Sequence, residues 1–109
     1  MDGTDKETRF VDVGALDDIP RCGARTVTTP AGDIAVFRTG SNEVFALLDL
    51  CPHKQGVLSQ GIVHGRNVTC PLHGWVISLE TGKAHEPDVG CTRRFAAHVE
   101  NGRVFLDAY

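Results

Sequence analysis

Aromatic residues are scarce in this chain, at 6% of 109 residues, with a single Trp and a single Met. Long apolar runs are absent. Phe45-Ala46-Leu47-Leu48 stops at Asp49, far short of the roughly 20 residues that span a bilayer as a helix. There is no basic stripe: 11 Lys and Arg stand against 14 Asp and Glu, for a formal net charge of −3, with both signs interspersed. That balance argues against nucleic acid and against a membrane as partners. The opening MDGTDKETR lacks an apolar segment and a cleavage pattern, so no secretory signal is expected and a cytoplasmic location is predicted. No G-x-G-x-x-G run offers a dinucleotide phosphate cradle. No stretch of twelve residues keeps a helical period, which excludes a helix-rich fold.

Short β-type runs broken by turn signals fill the chain instead. Residues 1–7 read as a flexible N-terminus, and 8–109 as one domain. Phe10 to Val13 alternates apolar and polar, and Arg25 to Thr28 is rich in β-branched residues. Ile34 to Phe37 and Val44 to Leu48 flank Gly40-Ser41-Asn42, a predicted hairpin. Ile62 to His64 and Asn67 to Thr69 flank Gly65-Arg66, and Trp75 to Leu79 ends at Thr81-Gly82. The last hairpin turns at Asn101-Gly102, a pair that supplies the positive φ values of a type I′ turn. The fold class is therefore all-β, a small sandwich or barrel.

Two segments carry chemistry: Cys51-Pro52-His53 and Cys70-Pro71-Leu72-His73. Each pairs a thiolate with an imidazole, and sixteen residues separate His53 from Cys70. Both follow predicted strands, in loops at about 51–58 and 70–75, where a stiff scaffold can set them face to face. The pattern suits a [2Fe–2S] cluster with Cys51 and Cys70 on one iron and His53 and His73 on the other. Neutral imidazoles in place of two thiolates leave the oxidised centre formally neutral, so reduction is easier than for a four-thiolate cluster. Such centres span about −150 to +300 mV. The alternative is a structural Cys₂His₂ zinc module, whose first pair is usually spaced by two to four residues; Cys51 and His53 are separated by one. Pro52 and Pro71 fix φ beside each thiolate, and Gly56, Gly61 and Gly74 permit tight loops with amides open to sulfur. Val57 and Leu72 are candidate shields against water, and Trp75 reads as core.

The two boxes resemble the Rieske family. The flanks Lys54-Gln-Gly-Val-Leu-Ser-Gln-Gly, Gly74-Trp-Val-Ile-Ser-Leu-Glu-Thr-Gly-Lys and Gly90-Cys91-Thr92-Arg93 are similar to one subfamily, the small subunit of NAD(P)H-dependent assimilatory nitrite reductase. The resemblance implies stacked antiparallel sheets with a small cluster-binding subdomain formed by two loops. It implies a large partner subunit carrying FAD, siroheme and a [4Fe–4S] centre, with no catalytic residue in this chain. Gln55 and Val57 depart from the family pattern, where Gly and Pro are usual. Gly56 and Leu72 stand where respiratory Rieske proteins carry a disulfide, and Trp75 where they often carry a serine, so a potential low in the range is expected. A stand-alone Rieske ferredoxin serving an oxygenase shares the chemistry and differs only in partner.

The remaining candidates are more ordinary. Cys22 and Cys91 read as small buried residues in a reduced protein. His64 has a possible place behind the cluster ligands, while His85 and His98 read as surface or strand residues. Lys54 and Arg66 are open between docking a partner and plain solvation.

Overall fold

β-branched and aromatic residues between the predicted turns form nine strands in the computed structural model, which describes residues 10–50, 57–71, 74–86 and 89–107. Six make one antiparallel sheet: β1 (Val11–Ala15), β2 (Gly23–Thr29), β3 (Gly32–Arg38), β4 (Val44–Leu48), β8 (Arg94–Glu100) and β9 (Arg103–Asp107), in the order β1-β9-β8-β4-β3-β2. The other three, β5 (Ile62–His64), β6 (Asn67–Thr69) and β7 (Val76–Ser78), make a small sheet in sequence order. The expected all-β architecture of antiparallel sheets is what the chain adopts.

Strand β3 explains how the sheets combine. Its run Ile34-Ala35-Val36-Phe37 is at most 1% exposed on either face. Alternation sends Ile34 and Val36 into a core with Ile19, Val44, Ala46, Phe95, Val104 and Leu106. Ala35 and Phe37 face the other way, into a core with Leu47, Leu58, Val63, Val68, Cys70, Ile77 and Leu79. The second core is the seam between the large sheet and the small one.

The turns follow local chemistry. Asn101 and Gly102 have φ of 53° and 75°, both positive as a type I′ hairpin needs. In β1 the register shifts between Asp12 and Gly14, and the Asp12 carboxylate holds the bulge. It accepts the Gly14 N–H at 3.0 Å and pairs with Arg103 on β9 at 3.0 Å. Arg38 is 12% exposed and ties the β1–β2 connection to the sheet, donating to the carbonyls of Leu16 at 3.2 Å and Ile19 at 2.8 Å.

Phe37 fills the seam, so Phe37→Ala should cost about 3–5 kcal/mol of stability. Urea unfolding followed by far-UV circular dichroism measures it; an unchanged midpoint would mean that Phe37 does not join the sheets.

Candidate cluster site

The second ligand loop starts from a buried cysteine. Cys70 directly follows β6 and is 1% exposed. Its N–H donates to the carbonyl of Trp75 at 2.6 Å, one rung beyond the Thr69–Val76 pair of β6 and β7. That bond brings Cys70 and Trp75 together across the ends of the segment. Gly74, with φ of +69°, provides the left-handed turn that lets the chain come back. Trp75 is partly buried against the same core as Cys70, the role expected for it. Pro71 is exposed, whereas Leu72 and His73 lie outside the described residues.

The first ligand loop joins the two sheets. It leaves the large sheet at Asp49 and returns through Val57 and the 3₁₀ turn Leu58–Gln60, which leads into β5. Cys51, Pro52, His53, Lys54, Gln55 and Gly56 lie outside the described residues. Both stems are well held. Asp49 is buried, with its carboxylate accepting from the Ser59 N–H at 2.7 Å and the Ser59 hydroxyl at 2.8 Å. Leu58 is fully buried in the core that contains Cys70. Val57 is 42% exposed.

Gly61 brings the loops together. A Cβ there would lie 2.3 Å from the Thr69 carbonyl oxygen and 2.9 Å from a Val68 methyl. The exit of the first loop thus lies against the strand that delivers Cys70. This is the observation that tests the cofactor: one thiol is sheltered in an apolar setting, and the stem of the loop bearing Cys51 and His53 abuts its strand. Among the described residues, Cys70, buried in an apolar core, suits a sheltered cluster ligand.

The other candidates fall elsewhere. His64 is exposed, and its Nε2 lies 2.7 Å from the Thr69 hydroxyl, one residue before Cys70. Arg66 does not offer a free cation for docking. It sits in the β5–β6 turn, at the opposite end of β6 from Cys70, and forks onto Glu43 at 3.0 and 2.6 Å while reaching Glu80 at 3.0 Å. Those bonds, Glu43 first, raise its pKa above the ordinary guanidinium value. Cys22 and Cys91 are both exposed, correcting the expectation that they are buried. Cys22 occupies a turn with φ of +59°, which turns it out of the core. Cys91 lies in an isolated bridge opposite Lys83 at the surface. His85 and His98 are exposed as expected, with His98 on β8 stacked against Phe105 at 5.3 Å. The buried clasp of Asp49 and Ser59 had no signal in the sequence beyond the two residues flanking the loop.

Fold and site together define a small β domain that presents two ligand loops from adjoining sheets, the layout of a cluster-binding electron-transfer domain. The profile of the Rieske [2Fe-2S] domain matches residues 9–96, and this chain belongs to that family. Its cofactor is a [2Fe–2S] cluster, and it is a Rieske electron-transfer protein. The ferredoxin component of the naphthalene 1,2-dioxygenase/salicylate 5-hydroxylase systems of Ralstonia sp. is 33% identical over 98 residues, covering 89% of this chain and 93% of that protein. The 4beta-methylsterol monooxygenase of Methylococcus capsulatus is 41% identical over 71 residues, which are 65% of this chain and only 16% of that protein. A crystal structure provisionally described as the small subunit of an NADPH nitrite reductase superposes with a TM-score of 0.80 at 27% identity, covering 89% of this chain and 96% of that one. Among the described residues, no helix is long and apolar enough to cross a membrane.

Gly61→Ala should destabilise the protein by about 1–3 kcal/mol, because the new methyl meets backbone that cannot give way. A thermal unfolding midpoint equal to that of the unsubstituted protein would refute the close approach of the two stems.

Proposed function

We propose that this chain is a one-electron carrier whose [2Fe–2S] cluster is held by Cys51 and Cys70 on one iron and by His53 and His73 on the other. When bound, the cluster supplies reversible uptake of one electron. The chain's own part is to hold two thiolates and two neutral imidazoles on two loops, and to keep water from the sulfur side through the apolar surroundings of Cys70. Support for the ligand set comes from the spacing of the two boxes and from Cys70's burial where the stems meet. The proposal includes one domain over residues 8–109 and a cytoplasmic location.

The partner we favour is an oxygenase system. The observation that carries this is the match to the Ralstonia ferredoxin component, 33% identical and covering 89% of this chain and 93% of that protein. A second reading, the small subunit of an assimilatory nitrite reductase with a large FAD, siroheme and [4Fe–4S] subunit, is supported by the superposition at TM-score 0.80 and by the loop flanks. Shared fold and cofactor leave the identity of the docking protein as the sole difference between them.

Dithionite-reduced protein should show the EPR signal of a mixed Cys/His [2Fe–2S] centre. Cys51→Ser and His73→Ala should each abolish it while far-UV circular dichroism keeps its β signature. A full-strength signal in either variant would overturn the ligand assignment, and a colourless protein with one zinc would overturn the cluster.

Affinity-tagged protein purified from its own cells should carry an oxygenase and its reductase, identified by mass spectrometry. Recovery of a siroheme flavoprotein instead would overturn the oxygenase reading in favour of the nitrite reductase one.

A further inference from the structure

Asp49 is 6% exposed, and both of its carboxylate oxygens are used. Oδ1 accepts the Ser59 N–H at 2.7 Å. Oδ2 accepts the Ser59 hydroxyl at 2.8 Å and the Thr26 hydroxyl at 3.1 Å. The N–H of Asp49 donates to the Asp33 carbonyl at 2.9 Å. A buried carboxylate is costly unless its oxygens are bonded. Here the bonds link three places: the end of β4, the exit of the first ligand loop, and β2.

Ser59 is well chosen as the partner. It lies in the 3₁₀ turn Leu58–Gln60, where Gln60 N–H donates to Val57 carbonyl at 3.0 Å and Gly61 N–H to Leu58 carbonyl at 2.9 Å. Leu58 is buried beside Cys70 in the seam. Fastening Asp49 to Ser59 therefore fastens the entrance of the first loop to the body that carries the second.

We propose that Asp49 is the positioning residue for the stems of the segment carrying the first Cys–His box: its carboxylate ties the end of β4 to Ser59, ahead of β5, and to Thr26 on β2. This rests on the ligand assignment made above. Asp49 touches neither substrate nor cluster in this role; it acts through Ser59. The contribution is geometric. A clasp between residues ten apart in sequence holds the two stems together, and charge-assisted bonds are stronger than neutral ones.

The test uses the full-length holoprotein with Asp49→Ala, Asp49→Asn, Ser59→Ala, Cys51→Ser and, as a control in the other core, Val104→Ala. Three quantities are read: the rate at which visible absorbance is lost in excess iron chelator, the EPR g-values of the reduced protein, and hydrogen exchange of peptides covering 57–61. Asp49→Ala should speed cluster loss about tenfold or more, shift the g-values and release the Ser59 amide to exchange. Ser59→Ala should move all three the same way by less. Asp49→Asn keeps an acceptor for the Ser59 N–H and should recover part of the loss. Val104→Ala should lower the unfolding midpoint and leave the g-values alone. Should Asp49→Ala fail to fold, Ser59→Ala and Asp49→Asn carry the test. The proposal is overturned if the Asp49 and Ser59 variants match Val104→Ala in chelator rate and keep unaltered g-values and exchange. Retention of the cluster by Cys51→Ser would instead sink the ligand assignment, a result that the Asp49 variants cannot mimic.

Discussion

Strand β3 sends Ile34 and Val36 into one core and Ala35 and Phe37 into the other, so neither core can be assembled without it. A strand buried on both faces cannot slip in register by one residue without exchanging its two apolar sets between cores of different shape. It is clamped between β2 and β4, with seven paired positions on the β2 side and five, Ile34 to Arg38, on the β4 side. The small sheet has only three-residue strands and little apolar surface of its own. It owes its place to Phe37, Ala35 and Leu47 beneath it. The stems of the two box-bearing segments therefore inherit their relative position from β3, which lies outside both boxes.

The point where the chain leaves this wall is bonded from both sides. Leu48 N–H donates to the Arg93 carbonyl at 2.7 Å, and the Leu48 carbonyl accepts the Thr92 hydroxyl at 3.2 Å. Asp49 N–H reaches the Asp33 carbonyl at 2.9 Å on the opposite side. Thr92 N–H in turn donates to the Gly82 carbonyl at 2.8 Å, and Gly82, with φ of +78°, has no Cβ to collide with the Thr92 carbonyl. Buried polar side chains in this region, Asp49 and Thr92, are bonded to chain segments distant in sequence. Such bonds are costly to leave unmade, which makes them selective for one arrangement of the strands.

Features that depend on neighbours in sequence were legible before the fold was known. Asn101-Gly102 and Gly65-Arg66 fall at the hairpin turns where local φ preference put them, and the runs around them are the strands. The core role of Trp75 was legible too, and it is partly buried against the core that contains Cys70. Features that depend on distant partners were not. Arg66 resembles a free surface cation in sequence, because Glu43 and Glu80 lie 23 and 14 residues away. Asp49 reads only as the charge that ends an apolar run, since its worth lies in Ser59 and Thr26. Cysteine is among the most buried residue types, yet Cys22 and Cys91 are exposed. A left-handed turn places Cys22, and a surface bridge places Cys91.

With the ligands assigned as proposed, their division between two loops makes cluster binding a matter of tertiary structure. Thiolates and imidazoles on one short segment can be gathered by that segment alone. Here Cys51 and His53 stand before the small sheet, and Cys70 and His73 stand between two of its strands. Gathering them requires β5 to pair with β6, Gly61 to pass within contact of Thr69, and Leu58 to enter the seam with Cys70. Each of these is a folding event in its own right. The free energy of cluster binding is then shared with the packing of one sheet on the other, as metal binding is shared with folding in small metallodomains. The fork of Arg66 onto Glu43 and Glu80 serves the same end from the far side of the small sheet, tying its β5–β6 turn to the β3–β4 turn of the large one.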